Sequence, residues 1–455
     1  MQRSRKTTRN TTLVRILVCG MLALVSQGHG SSAPANDGVP AGVEKIDKTH
    51  KQIKEIDLSA IEKGARLQDF CVAHDGSVIA LVAGAPPIGD TGLEDGNADK
   101  KAIRSQVCIL DADGKLARKW DVSFVGQAIA AGPDGSVYVG GNARLARFDA
   151  QGKLLAEADA PQTAILANKD DLREQAQDQL EAEKAAAEEQ IKNYEAMLKD
   201  EKQLAEQEKQ IEKQLEEQQE AAAKQAAKDN PEAKPVARPP VRFDLKKNYA
   251  DQLRYLRTRK DQTIDNVIAS ITTRLQQVNA ITTSGSDVFI ACPMSKGYGY
   301  AVWRTDQAFA SPQQIIKGLS GCCGQMDIQA AGDEVFVAEN SRHHIVRYSR
   351  EGKETGRFGK TDREGVGEGF SGCCNPMNLC FTIDGGLLAS ESNGVVKRFT
   401  KDGKYEGMVG VAAVPAGCKN SAIGISSDGD RVYYIDIQGS KILMLARNAS
   451  SGGSE

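Results

Sequence analysis

Short runs of β-branched and aromatic residues, separated by Asp-Gly and Ser-Asp-Gly turns, recur in one order six times along the 455-residue chain. A stretch rich in Gln, Glu, Lys and Ala, with neither Gly nor Pro, interrupts the series after its second member. Together these observations predict an all-β propeller of six four-stranded blades carrying an inserted long α-helical hairpin or coiled coil. The chain is 26% charged with a formal net charge of −3. That balance gives no global electrostatic reason to expect nucleic acid as a partner.

Residues 1–30 read as a secretory signal. Arg3, Arg5, Lys6, Arg9 and Arg15 form a positive segment, and Ile16 to Val25 ("ILVCGMLALV") form an apolar one. So short an apolar run falls well below the ~20 residues needed to span a bilayer. Cys19 follows Val18, where a lipid-anchor signal would want a small residue. The protein is therefore expected to be exported, periplasmic or secreted, with an uncleaved N-terminal membrane anchor as the alternative. Residues 31–64 read as a linker, in which Val43 to Leu58 would supply a strand that closes the ring with the last blade.

Blades A and B are assigned to residues 65–162. "LQDFCVAHDGSVIALVAG" opens the first, and "QAIAAGPDGSVYVGGNARLARFDAQGKLLAEA" (127–158) carries the second in full. Each apolar run is bounded by turn residues, as an antiparallel meander requires.

Residues 163–276 are the insertion. From about Lys169 to Lys228 the sequence predicts a helix of about 90 Å if continuous, at 1.5 Å per residue. Ala187, Ile191, Tyr194 and Leu198 form an apolar seam, which Leu204, Ile211 and Leu215 resume out of phase in the manner of a coiled-coil stutter. "NPEAKPVARPP" (230–240) breaks the helix. A second amphipathic helix follows, with Leu253, Leu256, Ile264, Val267, Ile271 and Leu275 on one side. Such an arm would serve docking or self-association, or act as a solvated spacer; its seam is thin for tight pairing.

Blades C to F fill 277–447, and 448–455 read as a disordered tail. "GCCGQMDIQAAGDEVFVAENSRHHIVRYSREGKETGRFG" (321–359) aligns with "GCCNPMNLCFTIDGGLLASESNGVVKRFTKDGKYEGMVG" (372–410). The last unit is "CKNSAIGISSDGDRVYYIDIQGSKILMLAR" (418–447). The segment "VFVAENSRHHIVRYSREGKETGRFG" resembles the NHL repeat of six-bladed propellers. It differs in placing Gly-Cys-Cys or Gly-Cys where that family usually has a Pro-x-Gly entry. The resemblance implies a propeller but not a function, since such propellers include scaffolds, receptors and metal-dependent enzymes.

The repeat alignment also places the cysteines. In a blade, the entry to strand one and the end of strand two open on the same face. Entry positions supply Cys322, Cys323, Met326, Cys373, Cys374, Met377 and Cys418, and strand-two ends supply Cys292, Glu339, Glu391 and Asp436. His343 and His344 begin the next strand of blade D. The expectation is a lopsided, sulfur-rich face drawn from blades C to F. Nine cysteines remain beyond the leader, an odd number for an oxidising compartment. Adjacent Cα atoms lie closer than an unstrained disulfide prefers, so pairing across blades is easier than within Cys322–Cys323 or Cys373–Cys374. Three readings stay open: disulfides that stitch blades, a thiolate–thioether site for copper or a thiolate site for zinc, or a vicinal disulfide serving as a ligand platform. Cys71, Cys108 and Cys380 lie in apolar runs and read as small core residues.

No nucleophilic triad and no phosphate-binding Gly loop occurs, so the leading expectation is a non-enzymatic module. It would bind a protein or small-molecule ligand on the cysteine-rich face, with Glu339, Glu391, Asp436, His343 and His344 contributing polar contacts. The alternative is a metal-dependent propeller enzyme of the lyase or lactonase kind.

Overall fold

The computed structural model describes residues 39–449 except 41, 61–63, 65, 84–104, 230–243, 323, 363, 373, 416 and 418. The segment read as a signal, the end of the tail, and Cys323, Cys373 and Cys418 lie outside the described residues. The chain divides into a β unit, 34–172 with 270–455, and a helical unit whose described part is 173–269.

In the β unit, twenty-four strands form six four-stranded antiparallel sheets among the described residues. The fold is a six-bladed propeller. The inner strands are Arg66–Val72, Ala128–Ala131, Ala280–Ser284, Asp327–Ala331, Asn378–Phe381 and Ile423–Ile425, for blades A to F. Each packs beside the next, and the last beside the first, so the ring is closed. In blades A to E the four strands follow one another in sequence. In blade F the outer strand is His50–Asp57, which pairs with Lys441–Arg447 from the far end of the chain.

The turns follow their sequence. In blade A, the Asp111 side chain accepts hydrogen bonds from the Asp113 and Lys115 amides, and Gly114 takes a left-handed φ of 77° that its missing Cβ permits. Between blades the sheets bury their faces. One apolar cluster fills each of the six seams, for example Phe336 and Ile345 of blade D against Phe370, Leu379 and Phe399 of blade E. Full burial of such side chains contributes about 1.5–3 kcal/mol each.

The inner strands have a second problem. Each leaves an edge of backbone N–H groups facing the central channel, where unsatisfied donors are costly. The sequence answers with a relay of side chains, each accepting from the inner strand of the next blade or, at Val278, from the residue two before it. Asp69 Oδ2 accepts from Ile129 N at 3.0 Å, and Gln127 Oε1 from Val278 N at 3.0 Å. Thr282 Oγ1 accepts from Ala330 N at 3.2 Å, and Asp327 Oδ2 from Leu379 N at 2.7 Å. Asn378 Oδ1 accepts from Ile423 N at 2.9 Å, and Ser440 Oγ closes the circuit on Leu67 N at 3.3 Å. Every seam is thus tied twice, by apolar packing outside and by a hydrogen bond inside.

The helical unit contains Glu201–Asp229 and Leu245–Lys260 entire, with most of Lys169–Lys199 and the start of Ile264–Leu275. The long helix is not continuous. It stops at Lys199 and restarts at Glu201, where Asp200 Oδ1 accepts from Gln203 N at 3.0 Å as a helix cap. The phase slip in the apolar seam marks this break. Leu245–Lys260 folds back antiparallel: Arg257 pairs with Glu195 at 3.0 Å, Arg259 with Glu183 at 2.7 Å, and the tilted rings of Tyr249 and Tyr194 lie 5.1 Å apart. Leu204, Leu245 and Tyr249 form the small core there, with Tyr194, Met197, Leu198 and Ile211 packed on it.

Candidate functional site

The two entry loops, Ser320–Met326 and Ser371–Met377, are held by the residues at the ends of their own second strands. Glu339 Oε1 accepts from Ser320 N at 3.0 Å and pairs with Arg342 at 3.2 Å. Glu391 Oε2 accepts from Ser371 N at 2.9 Å and from Ser371 Oγ at 2.5 Å. Its other oxygen lies 2.7 Å from Lys397 Nζ, an ion pair whose two side chains are both fully buried. That contact lacks hydrogen-bond alignment, so charge attraction carries it. Asp436 Oδ1 accepts from Gly439 N at 3.1 Å. The three carboxylates are therefore engaged within their own blades as loop braces.

The other residues singled out from the sequence have distinct surroundings. Met326 is fully buried in the seam between blades C and D. Met377 is equally buried, its sulfur 3.6 Å from Asn340 Nδ2. Both thioethers fill space. His343, with a left-handed φ of 58°, donates from Nε2 to the Gly372 carbonyl at 2.9 Å and so links blade D to the entry loop of blade E. His344 is half-buried; its Nδ1 lacks a hydrogen-bond partner, and desolvation, with Arg357 nearby, lowers its pKa. Cys292 is fully buried in strand two of blade C, and burial pushes its thiol far above the usual range. Cys322 and Cys374 do meet, across the D–E seam, with their sulfurs 2.8 Å apart. Among the described residues, no three His, Cys, Asp or Glu side chains are placed to hold a metal.

The most concentrated polar chemistry lies instead in the channel. A cavity of about 190 Å3 opens there, lined by all six blades, with Asp69, Gln127, Asn279, Asp327, Asn378 and Ser421 among its walls. A second cavity of about 130 Å3 lies farther along the inner strands. It shares Asp69, Asp327 and Asn378 and adds Thr282, Cys71 and Cys380. Among the described residues, no Lys, Arg or His lines either one. Asp69 and Asp327 hold the same place in blades A and D, three blades apart, so they face each other across the ring.

Burial raises the Asp69 pKa to about 7 against the opposing pull of its backbone hydrogen bonds. Asp69 is only half-buried by surface exposure, because the cavity itself reaches its carboxyl; the group nonetheless lies deep in the protein. Asp327 is raised strongly, first by desolvation, with the Asp69 charge adding to it. Two carboxyls that share a low-dielectric channel hold on to their protons, and a cation placed between them would favour the ionised forms. On the rim, Gln325 reaches from blade D to blade F. Its Nε2 donates to Ser421 O at 2.6 Å, and its Oε1 accepts from Ser421 N at 2.9 Å.

Sequence reasoning missed this constellation, although a signal for it exists. Aligning the inner strands puts Asp69, Ala128, Ala280, Asp327, Asn378 and Ala422 in one column, each followed by Phe, Ile or Leu. Three polar residues in a column that is otherwise Ala mark where the channel asks for side-chain acceptors. Cys71 and Cys380 also belong to the channel wall rather than to a seam interior alone, and burial pushes the Cys380 thiol up to about 12.

No family model matches the chain, and no curated protein matches it. Solved structures similar to it include a chain of a mitotic checkpoint complex, at 9% identity and a TM-score of 0.41, covering 93% of this chain and 97% of that one. A gluconolactonase from Xanthomonas campestris is similar at 12% identity and a TM-score of 0.40, covering 92% of this chain and all of the other. The WD40 domain of Pan2 from Neurospora crassa is similar at 8% identity and 0.39, with coverage of 90% and 99%. Likeness at these values says nothing about activity.

Proposed function

We propose that this protein is a propeller binding module whose channel holds a small, positively charged ligand between Asp69 and Asp327. The observation that carries the reading is the pair of carboxyls deep in the channel facing one cavity, lined by carboxamides and hydroxyls and, among the described residues, by no cationic side chain. A ligand bearing an ammonium group or a metal ion would supply the missing charge, while Gln127, Asn279 and Asn378 offer it polar contacts. Because a cation favours the ionised carboxyls, binding should tighten as pH rises through about 7.

The experiment is a thermal-shift titration of the full chain with methylammonium, ethanolamine and Ca2+, repeated on the Asp69→Asn, Asp327→Asn double variant. The reading expects at least one probe to raise the melting temperature of the natural chain and to lose that effect in the variant. No shift with any probe, or an equal shift in the variant, would sink it.

The NHL-like propeller is taken to be exported, on the strength of its basic and apolar leader, which an intact mass of the mature protein would test. The helical arm is taken as a surface for a partner or a second copy. Sedimentation of a chain lacking 173–269 should then show a smaller assembly than the full chain. A propeller enzyme of the lyase or lactonase kind, or a copper- or zinc-binding face, has no converged ligand set among the described residues to support it.

A further inference from the structure

We infer that Cys322 and Cys374 are a covalent modification site: under thiol–disulfide exchange they form a disulfide that joins blades D and E at the rim of the channel. The two residues are 52 apart in sequence, yet their sulfurs lie 2.8 Å from each other. That is longer than a disulfide bond of about 2.05 Å, so bond formation requires the sulfurs to approach by less than an ångström.

The described residues around the two cysteines are held by hydrogen bonds. Cys322 N donates to Asn340 Oδ1 at 2.7 Å, and Asn340 Nδ2 donates back to Cys322 O at 3.3 Å and to Gln325 O at 3.2 Å. On the other side, Asn375 Nδ2 donates to Ser371 O at 2.5 Å, and Glu391 holds Ser371 N. His343 crosses the same seam to Gly372. Both cysteines thus lie beside residues that are braced by hydrogen bonds.

Their exposure differs, and this sets the order of events. Cys374 is 1% exposed, whereas Cys322 is only partly buried. The Cys322 thiolate meets a disulfide-bearing oxidant first, forming a mixed disulfide and releasing one thiolate of the oxidant. The Cys374 thiolate then attacks the Cys322 sulfur, forming the inter-blade bond and expelling the second oxidant thiolate. Two electrons pass from the cysteine pair to the oxidant, and the two thiol protons leave to solvent.

The bond would act on the channel through its own loop. Gly324 and Gln325 lie in the Cys322 loop and line the larger cavity, and Gln325 grips Ser421 of blade F. Oxidation would therefore tie three consecutive blades into one rim, whichever ligand the channel takes.

The test is peptide mapping of the full chain after equilibration in glutathione buffers of increasing oxidised fraction, with free thiols alkylated. Fragmentation must assign the link to Cys322 and Cys374 rather than to the adjacent Cys323 and Cys373. Amide hydrogen exchange across 320–326 is followed in parallel. The inference expects a Cys322–Cys374 link that grows with the oxidised fraction, and exchange in that loop slowed at least tenfold. The Cys322→Ser and Cys374→Ser variants should each lose both effects. Full alkylation of the pair in excess oxidised glutathione would overturn it. So would the linkage of either cysteine to any other, which the natural chain reports even if a variant fails to fold.

Discussion

Replacing Lys397 by Met isolates what the buried ion pair of blade E does. Met keeps most of the length and volume of Lys while removing its charge. In the natural chain the ammonium is fully buried, 2.7 Å from Glu391 Oε1, hydrogen-bonded to the Gly369 carbonyl and 5.5 Å from the Phe370 ring centroid. Its removal leaves the Glu391 carboxylate in the protein interior with only the Ser371 N–H and O–H as partners. Breaking a buried pair from one side costs about 3–5 kcal/mol, because the remaining charge stays desolvated and uncompensated. Glu391→Gln removes that charge too, and its amide oxygen can still accept from Ser371. The Lys397→Met, Glu391→Gln double variant should therefore recover about 2 kcal/mol or more relative to the sum of the single losses. Urea unfolding followed by the fluorescence of Trp120 and Trp303 gives the three differences from natural stability. A Lys397→Met chain within about 0.5 kcal/mol of natural stability would refute the reasoning. So would additive losses, since they would mean that the two charges do not depend on each other.

Three more outcomes follow from the geometry. Asp69, raised from 3.8 to about 7, binds more protons folded than unfolded across that window. Its stabilising contribution is complete below about pH 4 and is lost as pH rises through about 7, with ~4 kcal/mol as its ceiling. Asp69→Asn should flatten the difference in urea midpoint between pH 4.5 and pH 8, and an unchanged difference would contradict the assignment. Gly352 has a φ of 83°, and a Cβ there would fall on the Ile315 carbonyl of blade C. Gly352→Ala should lower stability by about 3 kcal/mol in the same assay, whereas Gly385→Ala, with open space around it, should cost only its backbone strain of about 1–2 kcal/mol. Deleting 39–57 strips blade F of its outer strand, and circular dichroism should show a markedly lower melting temperature; an unchanged one would mean that the ring does not need that strand.

The propeller was legible in the sequence because its signal is repetitive. Six sets of apolar runs and Asp-Gly turns reinforce one another, so weak units such as blades A and C are carried by strong ones. The site was harder to read, since its residues are not adjacent in any one unit. Asp69, Asp327 and Asn378 each look like an ordinary polar residue of a first strand, and only the closure of the ring places them around one cavity. Glu339 and Glu391 stood out in the alignment for a real reason, but it is a local one: they hold Ser320 and Ser371 in loops that would otherwise have unsatisfied amides. The methionines repeat because both entry loops need an apolar filler at the same depth. The break at Asp200 shows in the sequence as a phase slip, yet composition alone does not tell a stutter from a cap.

The pairing of His50–Asp57 with Lys441–Arg447 has a consequence for how the chain is made. The strand that completes the last blade is synthesised before any blade and must wait until nearly 400 residues have followed it from the ribosome. A strand left without a partner for that long is ordinarily a hazard, because its open edge can recruit another chain. This one is written to be harmless while alone. Of "HKQIKEID", only His50 and Ile56 are buried in the finished protein, and five of the eight residues are His, Lys, Glu or Asp. The closing strand therefore contributes mainly backbone pairing at the end of folding, and its sequence is suited to the long interval in which it has none.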